Sequence, residues 1–289
     1  MNGSSRWLLA GSLFAILWAS AAAATRIGLL SAQPLVIAEL RFGMASAFML
    51  LLAHGVYRQR LPAGSEWKQL LIYGLLNISI YLGLYVVAMQ TVSAGIGTLA
   101  VAANPVLIAF LSVFFLGKKI TLRLFVSIIV CIGGVLLAAW PQLQDASVSW
   151  TGLLILMAGM LAYSAGAIYV AGKKWNGLSL LSINGWQTFL GGLCLLPVML
   201  FCYDAGANHF DTRLFMAVGW LAFFVSFAAV QLWLWLLRIN PVRAGLWLFI
   251  CPVAGFLIAA VLLHEPLSWH TLVGMLLVLA GLGVVKSEK

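Results

Sequence analysis

The chain has 289 residues, 64% of them hydrophobic and only 8% charged, with a mean hydropathy of +1.08. Soluble chains are about half apolar and about a quarter charged, so this composition excludes a soluble globular domain and points to an integral membrane protein. A net charge of +9 would suit nucleic acid by count alone, but the basic residues sit in short connections between apolar runs. There they orient a chain in a lipid bilayer, and no nucleic-acid partner is expected.

The apolar runs are continuous rather than alternating. In lipid only helices or closed barrels satisfy the backbone, and a helix needs about 20 apolar residues to cross. The sequence predicts an all-α integral membrane protein with ten transmembrane helices, at 6–25, 34–54, 67–90, 94–116, 121–140, 150–170, 181–202, 213–237, 242–264 and 269–285. Connections are short; only 58–65 and 202–212 are sizeable. The first span has a rival reading. Arg6, an apolar stretch and Ser20-Ala-Ala-Ala-Ala24 resemble a signal peptide with a small-residue cleavage site. Retention is preferred, because the run is long and two matching halves need five spans each.

With the N-terminus inside, the inner segments hold Arg6; Arg58, Arg60 and Lys68; Lys118, Lys119 and Arg123; Lys173 and Lys174; Arg238 and Arg243; and Lys286 and Lys289. The outer loops keep only Arg26 and Arg213, while Arg41 falls within the second span. This asymmetry predicts that both termini are cytoplasmic. Trp7, Trp67, Trp140, Trp150 and Trp269 fall at span ends, as an interfacial belt requires. Cys131, Cys194, Cys202 and Cys251 lie in or beside apolar runs without metal-type spacing and read as free thiols. No cofactor or metal is implied. There is no Gly-x-Ser-x-Gly, no phosphate-binding loop and no redox cysteine pair, and His264-Glu265 with His270 is not a zinc-binding His-Glu-x-x-His. No catalytic residue is assigned.

One pattern occurs twice. Asn104-Pro105-Val106 leads through an apolar run to Gly117-Lys118-Lys119-Ile120-Thr121 and then a run holding Gly133-Gly134. Pro252-Val253 leads to His264-Glu265-Pro266-Leu267-Ser268 and then a run with Gly274, Gly281 and Gly283. Pro105 and Pro252, Val126 and Val273, and Gly134 and Gly281 share one offset of 147 residues. A repeat of this length governs the fold. Residues 1–142 and 143–289 are read as two repeats of five spans. An odd number of spans sends the second half in from the other side, so the repeats should be inverted, with a binding site between them at mid-membrane.

Proline, about a dozen apolar residues, Gly-Glu-Arg/Lys-Leu/Ile-Thr and a glycine-rich helix together resemble the EamA-type transporters of the drug/metabolite transporter superfamily. The first copy departs from that pattern with Lys118 in place of Glu; the second keeps the acid as Glu265. The resemblance extends over nearly the whole chain and specifies the superfamily better than the substrate. Arg41 matches an arginine frequent in this span of the family, without a role implied.

The candidate site residues follow from depth and polarity. Glu39 and Arg41 are ionisable within a span, which makes them functional candidates by default, for proton coupling or gating or for binding a substrate amine. The bland alternatives are a structural pair with another helix for Glu39 and snorkelling to the outer interface for Arg41. Asn77, Tyr81 and Tyr85 form one stripe at i, i+4, i+8. Asn104, Trp18 and Tyr163 lie at similar depth, and Gln231 and Trp235 lie on the eighth span with Ser226. Trp186 and Gln187, beside Asn184, are the counterparts of the Glu39–Arg41 region in the second half. For each residue alone, a hydrogen bond to a neighbouring helix is the competing account. The predicted fifth and tenth spans are nearly devoid of polar side chains and carry glycines, so they should brace a cavity enclosed by the other eight.

The reading that fits best is a secondary transporter in a bacterial inner membrane. It would export small polar or amphipathic metabolites, such as amino acids or their derivatives, by alternating access, with proton coupling as the proposed drive, and act as a monomer. A lipid-linked substrate flippase or a non-coupled uniporter of the same fold is the alternative. An intramembrane enzyme would need a nucleophile with a base, or a metal cluster, at one depth; a receptor or assembly subunit would need larger loops.

Overall fold

The computed structural model describes residues 3–116, 121–144, 148–239 and 241–286. Every regular element among them is helical. The Gly117–Ile120 part of the first polar break, Asp145 and Lys289 lie outside the described residues.

Helix α1 spans Gly3–Gly28 and α2 Pro34–Val56, the latter ending in a π-helical turn at Leu51–Val56. Helix α3, Ser65–Ala88, contains a π-helical stretch at Leu75–Ile80. Helix α4 is broken into α4a, Ala94–Ala102, and α4b, from Asn104 to Leu116. Helices α5, Leu122–Gln144, α6, Trp150–Ala171, and α7, Leu180–Phe201, follow. Helix α8 runs through Thr212–Gly219, a π-helical Trp220–Ala229 and Val230–Ile239. Helices α9, Pro241–Leu263, and α10, Trp269–Lys286, complete the chain. Seven helices among the described residues are long and apolar enough to cross a membrane, and eight if the bent α4 is one span. Two further apolar segments, Ile250–Leu263 and Trp269–Gly283, are shorter.

The repeat is visible in the helix starts. Gly3, Pro34, Ser65, Ala94 and Leu122 recur as Trp150, Leu180, Thr212, Pro241 and Trp269, each 146 or 147 residues later. The π-helical stretch of α3 recurs in α8. The packing repeats as well: α5 lies on α10 and α2 on α7. Helix α1 lies on α9 as α6 lies on α4b, and α3 on α6 as α8 on α1. Exchanging the two sets of helices leaves this pattern unchanged, as a twofold relation within the chain requires.

Small residues set the close approaches. A Cβ on Gly134 would stand 2.7 Å from the Gly274 carbonyl oxygen, and one on Gly274 would stand 2.4 Å from that of Gly134. The Ser127 hydroxyl donates to the Gly281 carbonyl, and the Cys131 thiol to that of Val278. Contacts that climb α5 while descending α10 make the pair antiparallel. The same holds for α2 on α7, where Gly185 meets Met49 and Leu50 while Gly192 meets Phe42. Without a hydrophobic drive between helices in lipid, such small-residue crossings supply the van der Waals contact.

The two prolines act differently. Pro105 has no N–H, and α4 bends by 43° around Ala103. Pro252 lies inside a continuous α9.

Candidate functional site

The loops separate into two faces. On the face that carries the α1 start, Arg60 pairs with Glu66 at 2.7 Å and donates to the carbonyls of Trp175 and Asn176. The Ser179 hydroxyl, the N-cap of α7, donates to Gln59 Oε1. On the opposite face Arg26 donates to the carbonyls of Met89 and Gln90, Ser31 to Asp211, and the Asn208 amide to Gln33. The carboxylate of Glu265 accepts from the N–H groups of Ala94 at 2.7 Å and Gly95 at 3.0 Å, the first free donors of α4a. A negative charge is favourable at a helix N-terminus, where backbone N–H groups lack partners.

Between these faces lie two adjoining chambers. The narrower, about 110 Å³, is lined by Arg41 and Phe42 of α2, Asn77, Tyr81 and Tyr85 of α3, and Ser226 of α8. The wider, about 390 Å³, lies toward the face with the α1 start and is lined by Phe14, Tyr73, Asn104, Pro105, Trp233 and Leu248. Both are walled by Trp18, Asn77, Thr98, Tyr163, Asn184 and Gln187. All of α1–α4 and α6–α9 reach them, and no described residue of α5 or α10 lines either.

The helices position these groups by period. Tyr73, Asn77, Tyr81 and Tyr85 fall on one face of α3, and the π-helical stretch at 75–80 turns Asn77 inward; such stretches often mark functional positions. The Asn77 amide donates to Gln187 Oε1 at 3.1 Å, the Gln187 amide to Asn184 Oδ1 at 2.9 Å, and the Asn184 amide to the Ser226 carbonyl at 3.2 Å. This relay crosses from the first half to the second. Tyr81 and Tyr163 pack ring to ring, with centroids 4.9 Å apart.

Of the residues singled out from sequence, the structure brings Trp18, Asn77, Tyr81, Tyr85, Asn104, Tyr163, Gln187 and Arg41 to the chambers. Snorkelling does not describe Arg41: it is 6% exposed, and its Nε donates to Ser226 Oγ at 3.0 Å. Its position on α2 faces α3 and α8 rather than lipid. Glu39 does not line the chambers. Two residues along a helix is about 200° around it, and the side chain points at α7, with Oε2 3.5 Å from where a Cβ of Gly192 would stand. Its Oε1 is buried with no hydrogen-bond partner among the described residues. Trp186 faces the loop side of α7, donating to His54 Nε2 at 3.0 Å and packing on Trp67. Gln231 and Trp235 border a separate groove with Leu13, Tyr57 and Ser179. Sequence reasoning missed Tyr73, although it extends the α3 stripe by one step. It also missed Thr98 and Trp233, for which no pattern stood out.

A cavity with aromatic and polar walls between two interlocked sets of apolar helices is an arrangement that fits a membrane transporter. Comparison with known families specifies it further. The model of the EamA-like transporter family matches residues 5–140 and again 150–286, and the chain belongs to that family. It is 28% identical to the Escherichia coli K12 inner membrane transporter YedA over 90% of this chain and 84% of that one. It is 26% identical to protein PecM of Dickeya dadantii, over 88% and 83% of the two chains. It is also 26% identical to a transporter of Archaeoglobus fulgidus, over 98% and 99%. A solved crystal structure superposes with a TM-score of 0.65 at 16% identity, covering 97% of this chain and 96% of that one; that likeness concerns the fold. The chain is a multi-pass membrane transporter rather than an enzyme.

Proposed function

We propose that the protein is a secondary active transporter that exports small polar or amphipathic metabolites, amino acids or their derivatives, across a bacterial inner membrane. Ten spans form two inverted five-helix repeats, residues 1–142 and 143–289, with both termini in the cytoplasm, and the monomer is the working unit. The observation that carries the reading is the pair of chambers walled by eight helices drawn equally from both halves. A site enclosed by two related, oppositely threaded halves can open to either side by rocking one half on the other. The wider chamber on the face with the α1 start, and the polar ties across the opposite face, fit a cytoplasm-facing state ready to load. In this reading Trp18, Asn77, Tyr81, Tyr85, Asn104, Tyr163 and Gln187 contact the substrate. Aromatic walls and an amide relay suit molecules with one apolar and one polar end. Glu39, with an unpaired carboxylate oxygen at the α2–α7 crossing, is the proposed proton carrier.

Counterflow in proteoliposomes with labelled amino acids tests this. Accumulation of label against excess internal substrate is expected for at least one of them, and it should fall at least tenfold on Gln187→Leu. Absence of counterflow across the whole panel would contradict the reading.

A further inference from the structure

We propose that the chambers recognise a carboxylate, held by the guanidinium of Arg41, on a molecule whose remainder is apolar or aromatic. The proposal rests on the transport reading above and names the chemical class of the substrate.

Arg41 is the only charged residue among the described residues that line either chamber. It is 94% buried, and its single hydrogen bond among the described residues is from Nε to Ser226 Oγ. The two terminal nitrogens, which form the planar fork of the side chain, have no protein partner among the described residues. Among those residues the only ion pair is Arg60 with Glu66 at the loop face, and none of their carboxylates lies within 4.0 Å of the Arg41 guanidinium. Glu39, the nearest acid in sequence, faces α7. A buried guanidinium without a counter-charge is costly in a low-dielectric interior. It is tolerated where an arriving anion completes it, and its fork matches the two oxygens of a carboxylate.

The surroundings agree with that reading. Tyr81 and Tyr85 line the narrower chamber together with Arg41. Both can donate to the same anion. The amides of Asn77, Gln187 and Asn184 are instead spent on one another. Trp18 and Tyr163 wall both chambers, and Phe14 and Trp233 wall the wider one; these rings would take the apolar body. With one cation and no second base, the site fits a monocarboxylate better than a doubly charged phosphate ester.

The test uses the purified full-length chain and matched probes: L-phenylalanine against L-phenylalaninamide, 3-phenylpropionate against 3-phenylpropionamide, and phenyl phosphate. Binding is read by tryptophan fluorescence, since Trp18 and Trp233 wall the cavity. Each acid is expected to bind at least tenfold more tightly than its amide, and phenyl phosphate no more tightly than the acids. In Arg41→Gln the preference should fall below threefold, with Arg41→Lys intermediate. Equal affinity for acid and amide in the wild type, tighter binding of the phosphate, absence of acid binding, or an undiminished preference in Arg41→Gln would overturn the proposal. The wild-type comparison decides even where a variant fails to fold. Counterflow of amides or amines alone would overturn the carboxylate assignment and leave transport standing. Acid binding without counterflow of any probe would do the reverse.

Discussion

The thiol of Cys131 donates to the carbonyl oxygen of Val278 at 3.7 Å, and the two residues stand 147 positions apart, the period of the repeat. They are each other's counterpart. Around them Gly134 meets Gly274, and Ser127 meets Gly281, which is the same contact with the halves exchanged. The twofold relation therefore passes through this crossing of α5 and α10.

That crossing has no room for a side chain. Gly274→Val would drive a branched side chain into the Gly134 carbonyl and Ala138. Overpacking of this kind costs about 1–3 kcal/mol. A thermal-unfolding midpoint several degrees lower in detergent is expected. Gly133→Ala and Gly283→Ala, whose added Cβ would meet nothing within 4 Å among the described residues, should not lower the midpoint.

Glu265 ties the tenth helix's loop to the start of α4a by two N–H groups. Its repeat counterpart in sequence is Lys118, and the counterpart of Ala94 is Pro241, which has no N–H to give. The tie thus favours closure of one face only. Losing charge-assisted hydrogen bonds at a partly exposed site is worth on the order of 1–2 kcal/mol. With the four native cysteines replaced, Thr98→Cys in the narrow chamber should react about tenfold faster with an impermeant maleimide, applied on the Glu265 face, when Glu265→Ala is added. An unchanged rate would remove the tie from gating.

Much of this was legible in the sequence, because a membrane helix is specified by little more than length and apolarity. The predicted segments coincide with helices to within a few residues, as at 67–90, where the helix is Ser65–Ala88, although among the described residues seven of them, or eight with the bent α4, are long and apolar enough to cross a membrane. The repeat spacing read from Pro105 and Pro252 is the spacing of the helix starts. What one helix cannot show is which neighbour each face meets. Arg41 has the depth of a snorkelling residue, and only the packing of α3 and α8 turns it inward. Trp186 and Gln187 are adjacent, yet the turn of one residue sends the first to His54 and the second to Asn77. Equal prolines gave unequal helices: α4 breaks at Ala103, while α9 runs on through Pro252.

Asp211 caps the N-terminus of α8, accepting from the Leu214 N–H at 2.8 Å and from the Ser31 hydroxyl. The backbone bond from Leu214 leads the effects that hold its carboxyl below the ordinary value of 3.8. A depressed value means that the cap contributes fully above about pH 4 and is lost as pH falls through the depressed value. The Leu214 amide should be protected from hydrogen exchange at neutral pH and lose that protection only in strong acid. In Asp211→Asn protection should not vary with pH over that range. Loss of protection in the wild type already at pH 5 would contradict the assignment.

Glu39 sits at the α2–α7 crossing, where the halves must slide if the site is to change sides. Glu39→Gln keeps the shape and removes the titration. Transport in proteoliposomes should lose its dependence on pH while the protein remains folded and binds substrate within about threefold of the wild type. A pH profile identical to that of the wild type would remove Glu39 from the coupling step.

The central claim is that counterpart loops of the two halves lie on opposite sides of the bilayer around one shared cavity. Gly64 and Gly206 lie in such counterpart loops, one between α2 and α3 and the other between α7 and α8. In a cysteine-free background, Gly64→Cys, Gly206→Cys and Asn104→Cys would each be treated with impermeant maleimide in vesicles of both orientations. The account expects Gly64→Cys and Gly206→Cys to label from opposite sides, and Asn104→Cys, at the wider chamber, to label from the Gly64 side. Labelling of both glycine positions from one side, or an Asn104→Cys that reacts from neither, would contradict it.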